Sequence, residues 1–487
     1  MKAHLMFRNS DFDITPNPCF GWDTLSQDLG LQHILDAMSQ RDEIIHSACL
    51  SALSAPLQNC DAVRYRLSNM QDALQNPETV RELYAITLEA ENKRIKSWCW
   101  ISPDNSLERN FSNAVELLKL YLGLLQSLRS IADKNLRQFR SDGFRNLFQM
   151  LQQELDDNYL SKVQAQLQEL QASRGILIGA EPGSYLQGCR YVLLKNNTKS
   201  LHWSFSPSIS VDPHDDTEIT DLARRQARAI NETTNALAQS AEHLKSFFIM
   251  LRNELSFYTG CLNLADKLQQ LQLPICTADM QPSGCWSRSW QGLYDVALAL
   301  CSKSTPEGND LKVQNKRMYL ITGANQGGKT TFLRSIGQAQ LMAQCGMITG
   351  ARQFCAPIRS NVLTHFRKEE DPSLKSGKLD EELCRMDLVA DHLHRGSMIL
   401  FNESFASTNE REGAEICRQI ARALMENGVE IFHVTHFYSF ASEFSRDLQV
   451  ESLQAQRLDN GQRTFKILPG KPQKTAYGED LYREIFL

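Results

Sequence analysis

The chain has 487 residues, 42% hydrophobic and 22% charged, the make-up of a folded protein long enough for roughly two to four domains. Its formal net charge of −5 gives no overall attraction to nucleic acid, so any such contact must come from local basic surface. No run approaches the ~18 apolar residues of a membrane span, the N-terminus has no apolar signal core, and the thirteen cysteines are scattered without a Cys-x-x-Cys pair. Together these exclude a membrane partner, a zinc ribbon and a redox dithiol, and point to reduced core thiols in a cytoplasmic protein.

In chain order, residues 1–20 form a lead containing Thr15-Pro-Asn-Pro18. Helical patterning fills 24–95. Asp61 to Leu74 repeats its apolar residues every three to four positions, and Asn76-Pro77 ends that helix. Leu- and Gln-rich stretches at 111–133, 144–172 and 217–272 predict helices longer than the globular average, in keeping with extended arms. Between them Gly175-Ile-Leu-Ile178, Tyr191-Val-Leu-Leu194 and Leu201-His-Trp-Ser-Phe205 are short and β-like, broken by Pro182-Gly183 and Asn196-Asn197, which predicts a small inserted sheet. Gln281 to Ser289 is turn-rich and reads as a linker. From about Gly292 short apolar strands alternate with helices, the pattern of an α/β nucleotide-binding domain.

Within that second region, Gly323-Ala-Asn-Gln-Gly-Gly-Lys-Thr-Thr331 fits G-x-x-x-x-G-K-[ST]. The apolar strand Met318-Tyr-Leu-Ile-Thr322 leads in and a helical run leads out, the context the motif requires. Gly323, Gly327 and Gly328 let backbone N–H groups turn onto phosphates, and the helix N-terminus adds positive dipole. Lys329 would reach the β- and γ-phosphates, and Thr330 would bind Mg²⁺ through its hydroxyl. A Gly-rich turn without ligand would leave Lys329 unexplained.

Ser397-Met-Ile-Leu-Phe401 is a second strand, closed by Asn402-Glu403. Many nucleotide triphosphatases carry Asp-Glu here, the Asp holding Mg²⁺ and the Glu polarising the attacking water. Glu403 can serve as that base. Asn402 is neutral and orients the metal, directly or through water, without adding charge, so weaker Mg²⁺ binding is expected. A site that binds nucleotide without turning it over is the alternative. A third strand, Val429 to Thr435, ends at His436, a catalytic candidate that senses the γ-phosphate or helps stabilise developing charge, or else is a satisfied strand-end residue. His433 and His436 lie three apart on a strand and face opposite sides, which speaks against chelation by the pair.

These pieces together resemble the ATPase domain of the MutS mismatch-repair family. The family loop reads roughly T-G-P-N-M-G-G-K-S-T, against Thr322-Gly-Ala-Asn-Gln-Gly-Gly-Lys-Thr-Thr331 here, which makes Asn325 and Thr331 matching nucleotide-site candidates. The family Asp-Glu falls on Asn402-Glu403 and its Ala-Thr-His on Val434-Thr435-His436. The family's Glu-Met pair falls on Glu382-Leu383, and its Val-Pro-Ala on Cys355-Ala-Pro357. Ala55-Pro-Leu57, Ala62 to Leu67 and Leu74 to Glu78 look like the start of the family's core, and Leu255 to Ile275 like the helix returning from its lever arms. Gly292-Leu-Tyr-Asp295 and Gly308-Asn-Asp-Leu311 look like the strands entering the ATPase domain.

The resemblance implies a P-loop (ABC-type) α/β ATPase domain over 281–487, preceded by a mostly α-helical core (21–110) and lever arms (111–280) carrying a clamp-like β insertion at about 175–210. It also implies ATP and Mg²⁺ as cofactors, a homodimer with composite ATP sites, and arms that close on duplex DNA. Three departures stand out. The chain has no room for the family's mismatch-recognition and connector domains, nor for the nuclease domain of some relatives. Ser404 to Glu410 replaces Gly-Arg-Gly-Thr-Ser-Thr, so the residue completing the partner's ATP site falls on Asn409, with Ser407 and Thr408 as alternatives. The Asp is Asn402. Arg137, Arg140 and Arg145, and Arg224, Arg225 and Arg228, are candidate phosphate contacts or else solvated helix faces. No base-reading motif is visible, so DNA binding is expected to be shape-driven, to mismatched or branched duplex, and salt-dependent. A GTPase lacks its Asn-Lys-x-Asp here. A chromosome-structure ATPase would carry the loop near its N-terminus.

Overall fold

The computed structural model describes residues 1–98, 107–171, 176–183, 188–196, 216–302, 305–368, 377–458 and 463–473. Helices come first: α1 (Trp22–Leu29), α2 (Leu31–Ser39), α3 (Glu43–Ser54), α4 (Cys60–Gln75), α5 (Pro77–Trp98), α6 (Leu107–Asn135), α7 (Asp142–Glu154) and α8 (Asp157–Gln171). A hairpin, β1 (Ile176–Pro182) and β2 (Gly188–Asn196), precedes the 55-residue α9 (Asp216–Gln270), about 80 Å of helix at 1.5 Å per residue. Strands then dominate: β3 (Cys276–Thr277), β4 (Asp279–Gln281), β5 (Arg288–Leu293), α10 (Val296–Cys301), β6 (Asn309–Val313), β7 (Met318–Gly323), α11 (Lys329–Gln344), β8 (Ile348–Thr349), β9 (Gln353–Pro357) and β10 (Val362–Phe366). The chain continues through α12 (Lys378–Ala390), β11 (Met398–Asn402), α13 (Glu410–Glu426), β12 (Glu430–Val434), α14 (Tyr438–Phe444), β13 (Val450–Arg457) and β14 (Arg463–Pro469).

These elements form two compact units, Met1–Leu5 with Glu78–Leu255, and Met6–Pro77 with Ser256–Leu487. The 21–110 stretch is therefore divided at Pro77/Glu78. The residues expected to open the core and to return from the arms belong to the same unit as the α/β region.

In the first unit α6 packs on α7 and α8 through Val115, Leu118, Leu122 and Leu125, a three-to-four spaced stripe that is buried. The expected helix over 144–172 is two helices, broken at Leu155. Arg129 on α6 explains how the break is tolerated: its guanidinium donates to Gln152 O at 3.2 Å and Leu155 O at 2.6 Å, carbonyls that the helix end leaves open. Asp156 restarts the chain by accepting from Tyr159 N at 2.6 Å. β1 and β2 pair antiparallel with two register shifts. The third β-like run, Leu201 to Phe205, lies outside the described residues. Arg137 and Arg140 sit in the connection between α6 and α7 rather than on a helix, Arg145 is on α7, and Arg224, Arg225 and Arg228 are on α9. All six are exposed, Arg225 pairing with Asp221 at 2.5 Å.

The second unit is built on a six-stranded sheet of order β10-β11-β12-β7-β13-β14, parallel except for the β14 edge. Helices cover both faces, which is why β7, β10, β11 and β12 read as near-continuous apolar runs. One face packs Met318, Leu320, Phe401 and Ile431 on α13 and α14, and α11 covers the other. A four-stranded sheet, β4-β9-β5-β6, packs beside it. Gln281 to Ser289 is thus no linker between domains: it joins two strands that both pair with β9. Trp286 in this loop lies under the Arg359 guanidinium, 4.6 Å from ring centroid to carbon.

A buried charge cluster locks the two sheets. Arg288 Nε on β5 donates to Glu430 Oε1 on β12 at 2.7 Å, and Arg359 Nε donates to Glu430 Oε2 at 2.8 Å, all three side chains being fully buried. Burial by itself raises the Glu430 carboxyl, but the two guanidiniums and their hydrogen bonds outweigh it and hold it at about 2. Gln340 on α11 takes the next guanidinium N–H at 2.8 Å.

Candidate functional site

Parallel strands place their C-terminal ends along one rim of the sheet, where open α/β sheets hold ligands. The β10–β11–β12 register aligns Phe366, Asn402 and Val434, so Arg367, Glu403 and the residues after Val434 leave the sheet side by side. β7 joins the rim at Gly323. Arg367 N donates to Asn402 O, and Glu403 N to Val434 O, both at 3.0 Å.

The loop from Gly323 to Gly328 needs its glycines. Gly323 has φ 117° and Gly328 φ 86°, and a Cβ on Gly327 would stand 2.9 Å from both Ala324 O and Ala455 Cβ. Gln326 and Glu403 adopt φ 57° and 52° without being glycine, strain of the kind that gathers at functional sites. Lys329, the first residue of α11, is 5% exposed, and its Nζ donates to Gly323 O at 2.9 Å and Ala324 O at 2.8 Å. Burial draws its pKa down, the Glu403 charge opposes this, and Arg463 reinforces it.

Thr330 Oγ1 donates to Asn402 Oδ1 at 3.1 Å, joining α11 to β11 across the sheet rim. Glu403 Oε1 and His436 Nε2 are 2.6 Å apart. That hydrogen bond holds the Glu403 carboxyl below its ordinary range. Burial opposes the shift, and the charges of His436, Lys329 and Arg367 add to it. His433 faces the other way, buried against Phe401 and Phe440 at ring distances of 4.9 and 5.0 Å.

A cavity of about 780 Å³ opens over the loop. Asn325, Gly327, Gly328, Lys329, Thr330 and Thr331 line its loop side, and Arg367, Glu403 and His436 its strand side. The far end is made of Tyr294, Leu298, Pro306, Glu307 and Phe465. β14 fastens that end: Lys466 Nζ donates to Gly308 O at 2.5 Å and Ile467 N to Asn309 Oδ1 at 2.7 Å. Volume, glycine cradle, helix N-terminus and buried lysine all fit a nucleoside triphosphate. A divalent cation beside Thr330 would meet Asn402, a neutral oxygen donor, with Glu403 the nearby carboxylate.

Four predicted residues stand outside the cavity lining: Gly323 and Asn402, which adjoin it through the loop and the Thr330 hydrogen bond, and Glu382 and Asn409. Glu382 on α12 is 1% exposed, its Oε1 accepts from Ser407 Oγ at 3.2 Å, and its Oε2 has no hydrogen-bond partner. Burial raises this carboxyl, and the Ser407 hydrogen bond opposes it. Asn409 is the N-cap of α13, accepting from Glu412 N at 3.0 Å.

Three contributors went unread in the sequence. Arg367 follows an apolar strand, the position Glu403 also holds, and that parallel was the available signal. Arg463 donates to Gln326 Oε1 at 3.0 Å and so holds the loop from β14, while its Nε is buried without a partner. Phe465 has φ 59°, is 52% exposed and lines the cavity. No local pattern marks the latter two.

A model of the MutS2 N-terminal domain matches residues 58–271, and a model of MutS domain V matches residues 319–479. The chain is 22% identical over 465 residues to endonuclease MutS2 of Lacticaseibacillus paracasei, covering 91% of this chain and 53% of that protein. It is 30% identical over 130 residues to the DNA mismatch repair protein MutS of Thermotoga sp. (strain RQ2), 26% of this chain and 16% of that one. Human MutS protein homolog 4 is 24% identical over 197 residues, 39% of this chain and 21% of that protein. The chain thus spans about half the length of the MutS2 relative and a smaller share of the others.

Proposed function

Since the chain belongs to the MutS family, we propose that it is an ATP-dependent DNA-binding clamp, a cytoplasmic homodimer that uses ATP binding and slow hydrolysis to control its hold on DNA. The process served is mismatch repair or a related repair or recombination step. The observation that carries the reading is that Lys329, Thr330, Glu403 and His436 line one nucleotide-sized cavity, with Asn402 bonded to Thr330.

In this reading the N–H groups of the loop and Lys329 hold the β- and γ-phosphates. Bound Mg²⁺ would neutralise phosphate charge. Thr330 supplies a hydroxyl ligand and Asn402 an uncharged amide oxygen. Glu403, kept ionised by His436, accepts a proton from the attacking water. A carboxylate whose pKa is held low is a weaker base, and Asn402 adds no negative charge to the cation site, so both features favour slow turnover. The family's cross-subunit completion of the site would draw on the segment from Ser407 to Asn409, and Glu382 would steady that segment through Ser407.

A second reading is a nucleotide-binding regulator or scaffold with little or no hydrolysis, favoured by Asn402. Turnover of wild type, Asn402→Asp and Glu403→Gln separates the two. The ATPase reading expects slow wild-type turnover, a fall of about 100-fold or more in Glu403→Gln, and a lower Mg²⁺ requirement in Asn402→Asp. Wild-type turnover equal to that of Glu403→Gln leaves the regulator reading. Binding of homoduplex, mismatched, branched and single-stranded DNA, with and without ATP, tests the clamp; no affinity at low salt sinks it.

A further inference from the structure

Arg367 is the one guanidinium on the strand side of the nucleotide cavity among the described residues that line it. It leaves the sheet next to Asn402, its backbone N–H fixed on Asn402 O at 3.0 Å, and Asn402 in turn accepts from Thr330 at 3.1 Å. Its backbone is therefore tied to the place where a cation would sit beside the phosphates. Its side chain is exposed and makes no hydrogen bond or ion pair among the described residues. Every other charged group on the phosphate side of the lining is engaged: Lys329 with loop carbonyls and Glu403 with His436. A permanently charged, forked guanidinium in the cavity wall, on a residue whose backbone is bonded to Asn402, is matched to an anion with several oxygens.

We propose that Arg367 contacts the terminal phosphate of the bound nucleoside triphosphate from within the same chain, supplying positive charge where neutral Asn402 leaves Mg²⁺ weakly bound. The inference rests on the nucleotide-site reading and deepens it. Arg367 then distinguishes triphosphate from diphosphate, because only the triphosphate carries an oxygen cluster at the strand ends, while Lys329 serves both. It also makes triphosphate recognition partly independent of Mg²⁺. The guanidinium's charge favours the ionised form of Glu403 and, more weakly than burial opposes it, that of Glu382.

The test is equilibrium binding of fluorescent ATP and ADP analogues to the full chain, in Mg²⁺ and in EDTA, for wild type, Arg367→Gln, Arg367→Lys and Lys329→Ala. Arg367→Gln is expected to weaken ATP about tenfold and ADP less than twofold, with the larger ATP loss in EDTA, in line with loss of one charge-assisted contact. Arg367→Lys restores part of the ATP affinity. Unchanged ATP binding in Arg367→Gln, or equal loss of ATP and ADP, overturns the inference while leaving the nucleotide site standing, and retained ADP binding shows that the variant is folded. Wild-type protein that binds neither nucleotide, like Lys329→Ala, overturns the site reading and this inference with it.

Discussion

His433 shows how much a single residue's surroundings decide. As a sequence symbol it stood beside His436 as half of a possible metal pair. In the fold it is 2% exposed, and neither ring nitrogen has a hydrogen-bond partner. Burial, with the nearby His365, draws its pKa to about 3, and His365 itself, buried and near Arg385, falls to about 4. Both are neutral in the fold, while the unfolded chain takes up their protons near pH 6.5. From pH 6.5 down to about 4 for His365 and about 3 for His433 the unfolded state therefore binds more protons, and stability falls as pH falls through that window. Glu430 adds a further loss lower down, from its unfolded value of 4.5 toward about 2. His433→Leu, of similar volume and without polar atoms to strand, is expected to be as stable as wild type or about 1 kcal/mol more so at pH 7.5. Its melting temperature should fall less than that of wild type on going to pH 5. Melting curves at the two pH values check this, and an equal drop in both proteins refutes it.

Elements are held in place by polar side chains as much as by apolar faces. Arg288, Arg359 and Glu430 come from three segments and meet where no water reaches. Removing one member of such a cluster strands the others, at a cost of about 3–5 kcal/mol. Glu430→Gln is expected to lose that much in urea unfolding, whereas removing an exposed pair such as Arg225–Asp221 should change stability little. A loss below 1 kcal/mol for Glu430→Gln would mean that the cluster is not what joins β5 to β12. The same element-scale view explains the misread linker. Turn residues between Gln281 and Ser289 signal a change of direction. They carry no information on whether the strands either side pair with a common neighbour, and here β9 joins them. The break at Leu155 is alike: the apolar spacing continues through it, and Arg129, from another helix, satisfies the open carbonyls.

Over the whole chain, the proposed clamp function makes its own demand on the first unit. Arg224 and Arg228 on α9 are exposed, as are Arg137 and Arg145. If Arg224, Arg225 and Arg228 meet phosphates, changing all three to Gln should lower the slope of log affinity against log salt by about 3, near 0.9 per contact, whatever the DNA sequence. An unchanged slope returns these residues to ordinary solvated surface. The sequence by itself determined the change from helices to alternating strands and helices, the phosphate loop, the strand-end Asn402-Glu403 and the apolar strands, because each is written in a contiguous run whose period or spacing follows from local geometry. The tertiary structure decided what converges on that loop. Arg367 comes from one neighbouring strand end, Arg463 and Phe465 from the edge strand β14, and Tyr294 from the second sheet, while Glu382 and Asn409 take up a buried hydrogen bond and a helix cap. Strand order and long-range packing set those meetings, and neither is carried by any local pattern.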